Sequence, residues 1–91
     1  MVEEIVKVVN PSGLHLRPAG ILSNLAKDCD SNVEITKGDK HINPKSVLNI
    51  MAAGIRCGEE IQIRCTGETE QEDLKKLVEA IQSGLGESVV K

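Results

Sequence analysis

The chain reads as an α+β fold: an open-faced β-sandwich in which a four-stranded, mainly antiparallel sheet carries helices on one face. Three observations predict it. Four short runs read as strands, with alternation clearest at 60–66, three other stretches read as helices, and the two kinds of element follow one another as β-α-β-β-α-β-α. Single helices crossing between strands, with one hairpin in the middle, put the helices on a shared face of one sheet. The 91 residues fit a single domain spanning 1–91 and leave no room for a large two-lobed enzyme.

The first strand covers 4–9 with Val6 and Val8 inward, although Ile5 and Val9 on the other parity blur the alternation. Pro11 and Gly13 then turn the chain, since proline fixes φ and glycine accepts a positive one. A helix follows from Leu16 to about Lys27. At 100° per residue Ala19, Leu22, Leu25 and Ala26 gather on its core face, and Arg17, Gly20, Asn24 and Lys27 gather opposite. Gly20 costs a helix about 1 kcal/mol against alanine. Close approach of a partner would explain it, and chance drift explains it equally.

Asp28 to Ser31 form a polar loop, after which Val33 and Ile35 alternate with Glu34 and Thr36 as a second strand. Gly38-Asp39 makes a hairpin turn into a third strand at 40–43, with Ile42 inward. Pro44 ends it, and Ser46 is a good N-cap for a short, nearly all-apolar helix over 47–54. So short a helix cannot bury every side, so some of Val47, Leu48 and Met51 should be exposed as a docking patch. A small helix buried in a tight core is the competing reading.

Gly58-Glu59 turns the chain into the clearest strand, 60–66, where Ile61, Ile63 and Cys65 alternate with Gln62 and Arg64. Thr69-Glu70-Gln71-Glu72 has the form of a capping box. Leu74, Leu77, Val78, Ile81 and Leu85 follow at helical spacing until Gly84 or Gly86 ends the helix. Residues 88–91 are expected to be a frayed tail.

Composition excludes several classes. A net charge of −3 without a basic stripe, and the absence of Phe, Tyr and Trp, weigh against direct nucleic-acid binding. No apolar run is long enough to insert in a membrane, and Met1-Val-Glu-Glu is not a basic secretory start. Cys29, Cys57 and Cys65 are odd in number and lack a Cys-x-x-Cys pair, so neither a zinc site nor a disulfide framework is expected. They read as reduced thiols in a cytoplasm, Cys65 serving as a small hydrophobe. Neither a metal nor a cofactor is called for: Walker and dinucleotide glycine motifs are absent, and His15 and His41 offer no paired-ligand spacing. His41 reads as solvated.

The stretch 10–20 carries the chemistry. A strand ends there and a helix begins, so His15 falls at a helix start, and Pro18 fits in a first turn whose amides have no intrahelical partner. The N–H groups of that turn and the positive end of the helix dipole attract anions. Arg17 adds a planar cation suited to phosphoryl oxygens. The dipole also disfavours imidazolium, which favours a nucleophilic His15 able to accept a phosphoryl group. On these residues alone, His15 as a mere cap or surface residue is an equal alternative.

Gly13-Leu14-His15-x-Arg17-Pro18-Ala19, together with Asn43-x-Lys45-Ser46 and the apolar helix after it, resembles HPr. HPr is the histidine-containing phosphocarrier of the bacterial phosphoenolpyruvate:sugar phosphotransferase system. The resemblance extends over essentially the whole chain in length, element order and motif spacing. It implies a cytoplasmic, monomeric carrier that is not itself an enzyme. His15 would take a phosphoryl group through Nδ1 from phosphorylated enzyme I and pass it to a IIA domain of a sugar transporter. Arg17 and the backbone N–H groups of Leu16 and Arg17 would hold the phosphoryl oxygens. Leu16, Gly20, Ile21, Asn24 and Lys27, with Val47, Leu48 and Met51, match the family's docking surface. Ser46 matches its regulatory serine, the substrate of an HPr kinase/phosphorylase; with a phosphate there, related proteins dock a catabolite-control transcription factor. A second function is therefore a regulatory binding protein acting through phospho-Ser46, and a third is a carrier in a nitrogen-linked branch. Leu16, Gly20, Pro44 and the missing aromatics depart from the family pattern; all lie outside the phosphoryl pocket and bear on partner choice.

Overall fold

The computed structural model describes residues 1–86, so the tail expected over 88–91 lies outside the described residues. The elements follow in the expected order: β1 (Val2–Lys7), α1 (Leu16–Asp28), β2 (Asn32–Lys37), β3 (Lys40–Ile42), α2 (Val47–Ala52), β4 (Glu60–Thr66) and α3 (Glu70–Gln82). One sheet runs β1-β4-β2-β3, and every neighbouring pair is antiparallel.

The strand with the cleanest alternation, β4, lies in the sheet interior. Its Ile61 pairs with Val6, its Ile63 with Ile35 and its Cys65 with Val33, so apolar side chains stand side by side on one face. Ala19 and Leu22 of α1, Ile50 of α2 and Leu77 and Ile81 of α3 cover that face and are fully buried. Burial pushes the Cys65 thiol up to about 11, in keeping with a small hydrophobe, and raises Cys29 as well. Glu3, Glu34 and Arg64 stand on the open face. There Arg64 pairs with Glu3 at 3.1 Å and Glu34 at 3.9 Å.

Three local expectations are corrected. β1 starts two residues earlier than the alternation suggested and ends at Lys7. Val8 nevertheless continues the pairing, accepting from Gly58 N–H at 2.7 Å and donating to Glu59 O at 2.9 Å. The capping box at Thr69 does not form. Thr69 makes no cap bond; its hydroxyl donates to Asp73 Oδ2 at 2.7 Å, while Glu70 Oε1 accepts from Gly67 N–H at 3.2 Å. Thr69 lies at φ −103°, ψ 24°, outside the extended region from which an N-cap side chain accepts a first-turn N–H. Buried Asp73 also accepts from the backbone N–H of Ser31 at 3.0 Å and from the Ser31 hydroxyl. The Ser31 hydroxyl, helped by Thr69, holds the Asp73 carboxyl below its ordinary range against the opposing effect of burial.

The end of α3 is the third. Leu85 is buried as its spacing suggested, yet it lies beyond the helix. Gly84 N–H bonds Ile81 O at 3.1 Å and Leu85 N–H bonds Ala80 O at 3.0 Å, the Schellman pattern, with Gly84 at φ +91°. An apolar residue after such a glycine folds back on the helix, which mimics helical periodicity in the sequence.

Candidate functional site

The turn before α1 is built by two contacts from outside it. Gly13 has φ +71°, and a Cβ there would overlap the carbonyl oxygen of Ile55 and lie 3.0 Å from the Arg56 Cα. Glycine is required twice over, by conformation and by space. Leu14 N–H then donates to Ile55 O at 3.0 Å, and buried Leu14 anchors the turn in the core. On the other side, fully buried Asn10 donates through Nδ2 to Gly84 O at 2.7 Å, tying the turn to the end of α3.

His15 is thereby placed at the N-cap of α1, in extended conformation and half-buried, and its side chain makes no cap bond. Its carbonyl accepts the first helical bond, from Ala19 N–H at 2.9 Å. Pro18, the third residue of the helix, has no N–H. The first turn therefore leaves the amides of Leu16 and Arg17 as its donors, in the two residues that follow His15. Arg17 is exposed and forms no ion pair among the described residues. First-turn amides, the positive end of the helix dipole and a guanidinium close by in sequence are all groups that favour a small oxyanion.

Ser46 belongs to a second element, at the N-cap of α2. Its Oγ accepts from Asn49 N–H at 3.2 Å, and the residue is half-buried. The turn carrying it is fixed to α1 by Ser23, whose hydroxyl donates to Lys45 O at 3.0 Å. α2 packs against α1, which brings the two halves of the expected docking set together. Leu16 at 66%, Leu48 at 79% and Met51 at 38% are exposed large apolar residues. Asn24 and Lys27 are exposed beside them, and Gly20 is half-exposed with nothing within 4 Å of where its Cβ would stand. Ile21 and Val47 are partly buried and pack on the core, so they support the patch more than they present it.

Two residues that position the site carried weaker signals. Ser23 shares the i, i+3, i+4, i+7 stripe with Ala19, Leu22 and Ala26, and a polar residue in a core stripe signals a buried hydrogen bond. Asn10, beside Pro11, looks like an ordinary turn residue, and nothing local points to Gly84, 74 residues away.

With this geometry in view, the comparisons are direct. The family described as "PTS HPr component phosphorylation site" matches residues 2–83. The chain belongs to the HPr family. Phosphocarrier protein HPr of Chlamydia muridarum is 36% identical over 83 residues, 91% of this chain and 80% of that one. The crystal structure of HPr-C-His from Thermoanaerobacter tengcongensis superposes with a TM-score of 0.91 at 34% identity, covering 98% of this chain and all (100%) of the other. HPr proteins are phosphocarriers of the phosphotransferase system, not enzymes in their own right. Crh of Bacillus subtilis, a catabolite-repression protein, also matches, with a TM-score of 0.72 at 33% identity over 100% of both chains. That structure is a swapped dimer, so these relatives lend the expected monomer no support. Among the described residues, no helix is long and apolar enough to cross a membrane.

Proposed function

We propose that this chain acts, as a single domain in the cytoplasm, as a phosphoryl carrier through His15. A ring-nitrogen lone pair attacks the phosphorus of phosphorylated enzyme I; the N–P bond forms as the bond to the donor breaks. Nδ1 is the nitrogen that the likeness to HPr implies, and the first-turn amides that follow it in the chain are those of Leu16 and Arg17. Those amides and the Arg17 guanidinium stabilise the charge on the transferring oxygens. A IIA domain of a sugar transporter then takes the group by the same displacement in reverse. The face formed by Leu16, Gly20, Asn24, Lys27, Leu48 and Met51 seats each partner in turn, which calls for a modest, transient contact. The supporting observation is His15 at the N-cap of α1, its side chain making no cap bond, with the exposed Arg17 two residues on.

A second reading adds regulation at Ser46, and the likeness to Crh favours it. An HPr kinase/phosphorylase would phosphorylate Ser46 beside the docking face, where the new charge repels acidic partners and offers a catabolite-control transcription factor a contact. His15 at the helix N-cap favours the carrier role as primary.

The test is intact-mass analysis after incubation with phosphoenolpyruvate and enzyme I. Wild type should gain one acid-labile phosphoryl group, and His15→Ala none while keeping its fold. No gain on wild type with a verified active donor would refute the carrier reading and leave Ser46 regulation.

A further inference from the structure

The chain has three arginines, and they differ in how they are used. Arg64 on the open sheet face is paired with two carboxylates. Arg17 and Arg56 are exposed, and among the described residues neither guanidinium makes a hydrogen bond or ion pair. Arg17 is accounted for at the phosphoryl site. Arg56 is not, yet its Cα is the atom 3.0 Å from where a Gly13 Cβ would stand, so it borders the turn that presents His15.

The nearest candidate partner for Arg56 is occupied. Glu59 accepts from the backbone N–H of Arg56 at 2.7 Å and pairs with Lys37 at 2.9 Å. The Lys37 ammonium and that N–H hold the Glu59 carboxyl below its ordinary range, with the Arg56 charge adding the smallest contribution. The same bonds tie the Arg56 backbone to Glu59 and through it to Lys37, while Arg56 itself is exposed. The surroundings share one sign. Segments 11–27 and 43–58, which build the site and the docking face, contain Arg17, Lys27, Lys45 and Arg56 and no acidic residue, although the chain carries 14 of them. In a protein of net charge −3, these two segments thus contribute four cations and no carboxylate to the site and docking face.

Resting on the carrier reading above, we propose that Arg56 is a specificity-determining residue of the docking face. It pairs with a carboxylate on the acidic surface of the protein that exchanges the phosphoryl group, extending the contact past His15 to the side of the 55–56 segment. Arg17 acts on the phosphoryl oxygens; Arg56 acts on the partner.

The test is the steady-state kinetics of phosphoryl uptake from phosphorylated enzyme I, with wild type, Arg56→Ala, Arg56→Lys and Arg56→Glu as substrates at low and high salt. At low salt Arg56→Ala should raise KM about 3-fold and Arg56→Glu about 10-fold, with Arg56→Lys close to wild type. These differences should close at about 0.5 M salt, because rim charges are screened. kcat should stay at the wild-type value; the melting temperature should stay near wild type in Arg56→Ala and Arg56→Lys, since the side chain makes no hydrogen bond or ion pair among the described residues and only a minor electrostatic contribution to Glu59. Wild-type KM for both Arg56→Ala and Arg56→Glu at low salt would overturn the proposal. So would a lower kcat with faster loss of phosphate from the isolated phosphoprotein, which would place Arg56 on the phosphoryl group. If wild type takes up no phosphoryl group, the carrier reading itself has failed, and this one falls with it.

Discussion

Gly13→Ala tests most sharply how the site is held. The substitution acts through two separable effects. At φ +71° a β-carbon carries the left-handed penalty, about 1–2 kcal/mol. The same atom overlaps the Ile55 carbonyl, so either the turn or the 55–56 segment must move, and overpacking against backbone adds about 1–3 kcal/mol. Moving the turn also weakens the Leu14 N–H bond to Ile55 O. The expected loss is therefore about 3 kcal/mol, or roughly 12–24 °C in Tm for a domain of this size. Gly38→Ala separates the effects: φ is +58°, but nothing lies within 4 Å of the new methyl. It should cost only the backbone part, about 1–2 kcal/mol. Urea unfolding measures both, and phosphoryl uptake under folded conditions gives the second readout. Gly13→Ala should slow uptake at least tenfold, since a shift of about 1 Å at a reacting group costs that much or more; Gly38→Ala should not. Equal destabilisation by the two variants, with wild-type uptake by Gly13→Ala, would refute the claim that this contact positions His15.

Other outcomes follow from the same structure. Asp73→Ala strands the Ser31 and Thr69 donors and should cost about 3 kcal/mol by urea unfolding. Asp73, Glu59 and Glu70 all titrate below their ordinary values when folded, so the stability they contribute is present above about pH 4 and lost as pH falls through the folded values. Unfolding followed from pH 7 down to pH 2 should show a plateau and then a decline, shallower in Asp73→Asn. Gly20→Ala, with open space at its Cβ, should raise stability by up to about 1 kcal/mol. Its uptake kinetics then report whether a partner approaches closely there: a raised KM says so, and an unchanged one leaves Gly20 to drift. Ser46→Ala removes the cap bond to Asn49 N–H and should cost about 1 kcal/mol without affecting uptake at His15.

Much of this was legible because the informative patterns are local. The alternation of Ile61, Ile63 and Cys65 and the helical stripe of Leu74, Leu77, Val78 and Ile81 each fix which side of an element faces the core, and pairing the strands then leaves little choice of architecture. His15 was legible for the same reason: proline, glycine and the change of period mark a helix start within a few residues. What failed or was missed is non-local. The Thr69 hydroxyl turned to Asp73 because Ser31, 42 residues from Asp73, completes a buried polar cluster there. The Asn10–Gly84 bond and the fit of Gly13 against Ile55 likewise join segments that nothing in their own neighbourhoods connects. Leu85 shows the opposite failure, a periodic signal continued by a residue that folds back after the helix has stopped.

The central claim is that His15 carries the phosphoryl group at the N-cap of α1. The most direct measurement is NMR of the uniformly ¹⁵N-labelled protein after phosphorylation by phosphoenolpyruvate and enzyme I, combining ³¹P spectra with long-range ¹H–¹⁵N correlation in the imidazole. The account predicts one phosphohistidine signal, assigned to Nδ1 of His15, with the amide resonances of Leu16 and Arg17 shifting most. A phosphoryl group on His41 or on a serine, or on Nε2 of His15 with those two amides unmoved, would contradict it.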